Sequence, residues 1–276
     1  AGPPLRFLLD TFAWRQVITT TGLMTLALGG VIWFVIRDWP QEKGYPGFID
    51  QIPSATSLSA RRILQDLFKI FKYRNIGLLF VIPGGITGCI LTFSGLWGVP
   101  YLVSHYSLSP AKAAGMTSVL LIGWAMGAPV FGWLSDYMGK RKSLYIAGVV
   151  VTSLGWSLIL FRESLSVFQL VMALSVTGFF SGSIVISFAF VMESVPLSLS
   201  GTAAGLTNMG VMMGPMLLQP FVGRILDYHW TGQMIDGVRI YPLEAYEYGF
   251  IPMMAWIILS ALLLFFTKET HCRQMV

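Results

Sequence analysis

The chain has 276 residues, of which 55% are hydrophobic and 11% charged, with a formal net charge of +5. A soluble surface needs about 25% charged residues to face water, so this composition excludes an ordinary soluble domain. Together with a mean hydropathy of +0.69 it points to a protein covered by lipid, whose cations set membrane topology rather than bind nucleic acid.

A spanning helix needs about 20 mostly apolar residues. Seven stretches meet this, at 16–36, 76–102, 113–134, 144–161, 167–192, 202–223 and 248–266, and none contains Asp, Glu, Lys or Arg. They predict an all-α membrane protein with seven transmembrane helices. Residues 1–15 lack the basic segment, apolar core and cleavage site of a secretory signal. Lys and Arg divide unevenly between the two sets of loops: twelve fall in 37–75, 136–143, 193–201 and 267–276, and six in the remainder. The positive-inside rule then places the first set in the cytoplasm and residues 1–15 outside.

Residues 38–75 form the one long polar stretch. Pro40, Gly44, Pro46, Gly47 and Pro53 mark an irregular linker. Residues 58–73 set Ile63, Leu64, Leu67, Phe68 and Phe71 at helical spacing among Arg61, Arg62, Lys69 and Lys72. That pattern predicts an amphipathic helix on the membrane surface, with a partner-binding helix as the alternative. The loop at 227–247 holds His229 among scattered acids at irregular spacing, which does not make a metal site. Cys89 and Cys272 differ in membrane depth and are not expected to bridge. No cofactor is implied.

The most specific signal lies at 132–142, where Gly132, Leu134, Asp136, Gly139, Lys140, Arg141 and Lys142 follow one another between two apolar runs. A generic positive loop accounts for the cations but not for the ordered glycines and the aspartate. The spacing resembles the loop motif of the major facilitator superfamily, Gly-x-Leu-x-Asp-x-x-Gly followed by two cations. Residues 93–102 resemble the outer half of that family's seventh helix. Glu193 to Pro196 and residues 201–208 resemble the loop before its eleventh helix and that helix's start, and residues 5–15 the approach to its sixth.

The resemblance implies an organisation: 1–37 as an outer arm and the last helix of a first half, 38–75 as the central cytoplasmic linker, 76–267 as a six-helix second half, and 268–276 as a cytoplasmic tail. On this reading the chain is the C-terminal part of a transporter whose missing N-terminal half is its partner, and alone it should not transport. The motif at Gly132, Asp136, Gly139, Lys140, Arg141 and Lys142, with Glu193, is then assigned to gating. Candidate substrate-facing residues are Ser94, Trp97, Trp124, Ser183 and Asn208, with Asn208 foremost, because an amide in a lipid-embedded helix needs a partner.

The expected function is secondary transport of a small solute by alternating access, by symport or a related mode, in a bacterial inner or plasma membrane. Carriers of organic anions and sugars resemble the chain most. A non-transporting remnant, a half-transporter needing a separate N-terminal half, and multidrug efflux are the alternatives. A membrane enzyme is not expected, since His105, His229 and His271 fall outside the predicted spans and no catalytic set lies within them.

Within the spans, Gly84/Gly88, Gly123/Gly127, Gly178/Gly182, Gly201/Gly205 and Gly210/Gly214 have the spacing of close helix contacts.

Overall fold

A computed structural model describes residues 7–8, 11–37, 40–46, 68–162, 165–235 and 237–275. The chain divides into two compact units, 1–63 and 64–276. The first contains helix α1, Trp14–Val35, followed by a short 3-10 turn at Pro40–Lys43. At 22 residues α1 is about 33 Å long, enough to cross a hydrocarbon core of about 30 Å. Residues 58–67 of the amphipathic helix expected over 58–73 lie outside the described residues; of the remainder, 68–70 are helical and 71–73 form a turn.

The second unit holds six long apolar helices, so seven candidate spans are present among the described residues, in the predicted order. Helix α2, Arg74–Thr92, passes through one π-turn at Phe93–Trp97 into α3, Gly98–Tyr106. Pro100 explains the turn. It has no N–H for the Leu96 carbonyl and its ring needs room there; the widened turn, in which the Gly98 N–H donates to the Phe93 carbonyl, provides both. The helix therefore runs past residue 102 and carries His105 at its end, although the hydropathy pattern puts that histidine in a loop.

Helix α4, Pro110–Met138, starts where Ser109 accepts a bond from the Lys112 N–H and Pro110 occupies the first turn. Helix α5 is Lys142–Phe161. Helix α6, Val167–Ser181, opens on a reciprocal cap between Ser166 and Gln169, then tightens through a 3-10 turn at Gly182–Val185 into α7, Ile186–Glu193. A 3-10 turn at Leu197–Leu199 leads into α8, Ser200–Tyr228. A small antiparallel hairpin, β1 Met234–Ile235 and β2 Val238–Arg239, precedes α9, Leu243–Phe265.

The packing repeats itself. Helix α2 lies against α8 and α9, α6 lies against α4 and α5, and α5 meets α9. Exchanging α2, α4 and α5 for α6, α8 and α9 maps these contacts onto one another, as expected of an inverted repeat of three helices, while α8 lies against α9 without a matching α4–α5 contact. Glycines make both principal crossings. A Cβ on Gly84 would stand 2.9 Å from the Gly210 carbonyl oxygen, and one on Gly214 would run into the carbonyl oxygen of Gly84. In the other crossing, a Cβ on Gly127 would run into the Phe179 carbonyl oxygen and one on Gly123 would lie 2.8 Å from that of Ser175. Lipid supplies no hydrophobic drive between helices, so such close backbone approach carries the association. Gly201 and Gly205 share the spacing but face open space.

The contrast gives a test. Gly127→Ala should lower stability by about 1–3 kcal/mol, because the obstruction is backbone and cannot swing away. Gly205→Ala should be neutral or slightly stabilising, since alanine favours helix. Melting of the two purified variants in detergent checks this, and an equal response from both would refute the role of the crossings.

Candidate functional site

The motif splits between a helix and a very short loop. Residues 132–138 are helical, as the last two turns of α4, and only Gly139 to Arg141 connect them to α5. Gly139 has φ +61°, a left-handed conformation. Its N–H donates to the Asp136 carbonyl at 3.2 Å, and the Lys140 N–H donates to the Ser135 carbonyl at 3.3 Å. These two bonds form a Schellman cap, which is why the motif needs glycine there. A Cβ on Gly132 would lie 3.7 Å from the Val185 side chain, an ordinary contact, so no close approach requires glycine there.

The reversed chain drives Arg141 inward. Its side chain is 7% exposed, and its Nη2 lies 2.6 Å from Glu193 Oε1. Arg141 Nε donates to the same oxygen at 3.0 Å, while Nη1 donates to Asp136 Oδ1 at 2.6 Å and to Ser135 Oγ at 3.0 Å. The two carboxylates are not equivalent. Glu193 is 15% exposed and Asp136 69%. A charge buried this far must be paired, so Glu193 is the obligatory partner. The Asp136 contact sits in water and is worth much less, about 0.2–1 kcal/mol.

A third carboxylate completes the site. Beyond α9 the chain folds back so that Glu269 accepts from the Arg141 and Lys142 N–H groups, both at 2.9 Å. It thus caps the N-terminus of α5, where unpaired N–H groups and the helix dipole favour a negative charge. The opposite complement is also made: Lys142 Nζ donates to the Phe265 and Thr267 carbonyls, at 2.7 and 2.8 Å, at the end of α9. Thr270 Oγ1 donates to Glu193 Oε2 at 2.5 Å, and the Met275 N–H to the Glu193 carbonyl at 2.9 Å. Asn75, at the start of α2, donates to Ser194 Oγ and exchanges bonds with the Lys268 backbone. The ends of α2, α4, α5, α7 and α9 are therefore held on one polar cluster centred on Arg141.

Of the predicted gating residues, Asp136, Arg141 and Glu193 are in direct contact, Gly139 shapes the turn, and Lys142 clamps α9. Lys140 is exposed. Ser135, Glu269, Thr270 and Asn75 are additional members that pattern reading misses.

The five substrate-facing candidates stand apart, with no hydrogen bond or ring contact joining any two. Ser94 is half-buried in the π-turn. Trp97 is half-buried, donates to the Gln219 carbonyl at 3.0 Å and meets Tyr241 edge-on. Trp124 is half-buried on α4. Ser183 is fully buried, against the bare face of Gly148 on α5. Asn208 is exposed on α8 and has no hydrogen-bond partner among the described residues.

Seven apolar spans, six of them in a bundle held at one end by a charged cluster, mark a multi-pass membrane protein. The family model of the Major Facilitator Superfamily matches residues 90–274, and the chain belongs to that superfamily. Membrane sensor protein UhpC of Salmonella typhimurium is 26% identical over 80% of this chain and 52% of its own length. Monocarboxylate transporter 12 of Xenopus laevis is 28% identical over 94% of this chain and 56% of its own. A gallate transporter of Pseudomonas putida is 24% identical over 76% and 51%. The chain thus spans about half the length of these relatives.

Glu269 offers a pH-dependent test. Burial raises its pKa, but the backbone N–H groups of Arg141, His271, Lys142 and Thr270 outweigh this and hold it below the ordinary glutamate value of 4.5. A depressed carboxylate pKa means that its stabilisation is complete above about pH 4.5 and fades as pH falls through the lower folded-state value. Glu269→Gln should cost about 1 kcal/mol at pH 7, as lost helix caps do, and should flatten the acid limb of the melting-temperature profile. An unchanged acid limb would refute the capping role.

Proposed function

We propose that this chain forms one half of a secondary transporter that moves a small organic solute by alternating access. The Arg141 cluster holds one face of its bundle in a closed arrangement. The observation that carries the reading is the asymmetry of the cluster: a buried Arg141–Glu193 pair beside an Asp136 contact open to water. The buried pair keeps the bundle intact through a cycle, while the exposed, weakly held carboxylate is free to exchange partners as the face opens. The second bundle is proposed as the partner because the relatives are about twice as long and the superfamily's binding sites lie between repeats near the midplane.

Asn208 supports a polar passage along α8. A carboxamide left unpaired in hydrocarbon costs several kcal/mol, so an exposed Asn208 favours a wall facing water, solute or a second bundle over one facing lipid. Gallate and monocarboxylate carriers among the relatives favour an organic acid as solute. The greater Lys and Arg content of the loops on its side favours a cytoplasmic position for the cluster. A second reading, a sensor built on a transporter fold, is favoured by the relative named as a membrane sensor. It predicts solute binding without net flux.

Uptake into proteoliposomes containing the chain together with a first-half bundle separates these readings. Asp136→Asn should reduce the transport rate at least tenfold with solute affinity within about twofold, since a tenfold rate change needs only about 1.4 kcal/mol on the barrier. Wild-type flux would sink the gating role, and binding with no flux in the wild type would support the sensor. In the same assay Asn208→Ala should weaken affinity severalfold; unchanged affinity would remove it from the solute path.

A further inference from the structure

The second half of α5 and the first half of α6 leave an open groove of about 440 Å³ between them. Gly155 and Ala173 lie along it with Leu154, Leu158, Phe168 and Met172, and Phe168 is 73% exposed. The groove extends along α5 from Val151, at mid-helix, to Arg162 at the connecting loop. Eleven residues of helix rise about 16 Å, close to half of a hydrocarbon core of about 30 Å. The groove is therefore as deep as one leaflet, on the side opposite the Arg141 cluster.

Its loop end is chemically distinct. Arg162 and Gln169 both line it there. The Gln169 carboxamide oxygen is occupied, accepting from the Ser166 N–H at 3.0 Å, which leaves its NH₂ group to donate. Arg162 is exposed, and its guanidinium has no hydrogen-bond or ion-pair partner among the described residues. An apolar trough one leaflet deep thus ends in a cation and a second donor, at the depth where phosphodiesters lie. The comparable grooves between α4 and α6 and between α8 and α9, of about 330 and 440 Å³, have no charged side chain in their lining.

We propose that the α5–α6 groove binds an anionic phospholipid, one acyl chain lying between Leu158 and Met172 and the phosphate held by Arg162 and the Gln169 amide. Guanidinium groups match phosphate oxygens in geometry as well as charge, so the lipid is selected by its headgroup and seated by its tail.

Native mass spectrometry of the detergent-purified chain, with phosphatidylglycerol or phosphatidylcholine added, tests this. One phosphatidylglycerol should be retained at least fivefold more than phosphatidylcholine. Arg162→Gln should abolish the preference, and Met172→Trp, which fills the trough, should lower retention of both lipids. Leu217→Trp in the uncharged α8–α9 groove should leave binding unchanged, and melting curves confirm that each variant is folded. Equal retention of the two lipids by the wild type, an unaltered preference in Arg162→Gln, or an equal loss in Leu217→Trp would overturn the proposal.

Discussion

The polar end of the bundle depends on one buried cation. Arg141 is surrounded by groups from segments far apart in sequence: Ser135 and Asp136 at the end of α4 and Glu193 at the end of α7, with Glu269 on its own backbone. With its side chain 7% exposed, the guanidinium cannot remain charged without these partners, and arginine does not discharge. Each helix end is thereby fixed to the others by the need to satisfy a single group. Glu269 and Lys142 add complementary charges at the start of α5 and the end of α9, so helix dipoles and side chains act in the same sense.

The membrane-embedded part is held differently. At the α2–α8 and α4–α6 crossings the backbones approach until no Cβ fits. Such contacts do not deform gradually, because a small displacement either clashes or opens a void. The six helices are thus suited to move as one body, while the exposed Asp136 contact at their polar end can break at little cost. That division between a rigid bundle and an exchangeable contact is what the proposed alternating-access cycle requires.

Much of this was legible from the residues alone, for identifiable reasons. Lipid tolerates only helices and closed barrels, and a helix that crosses it must be long and apolar, so the seven spans and their order follow from hydropathy. The motif residues were legible because Gly139 needs a left-handed turn and Arg141 needs an acid. Glu269 and Asn75 were not, since their roles exist only once the tail folds back across the bundle, and no local pattern records that reversal. Spacing also misled. Gly201/Gly205 has the same interval as Gly210/Gly214, yet only the latter meets a helix. The extension of the second span from residue 102 to Tyr106 was hidden because Ser104 and His105 interrupt the apolar run, whereas the helix continues through them.

The central claim is that Arg141 and Glu193 are energetically coupled and that the remaining contacts at this end are arranged around that pair. A double-mutant cycle with Arg141→Met, Glu193→Gln and the double variant, read by unfolding of the purified chain, measures this directly. Each single change should cost about 3–5 kcal/mol, because it leaves one buried charge unpaired. The double change should cost much less than their sum, a coupling of at least about 2 kcal/mol. Additive costs would contradict the account, showing the two side chains to be neighbours without being partners.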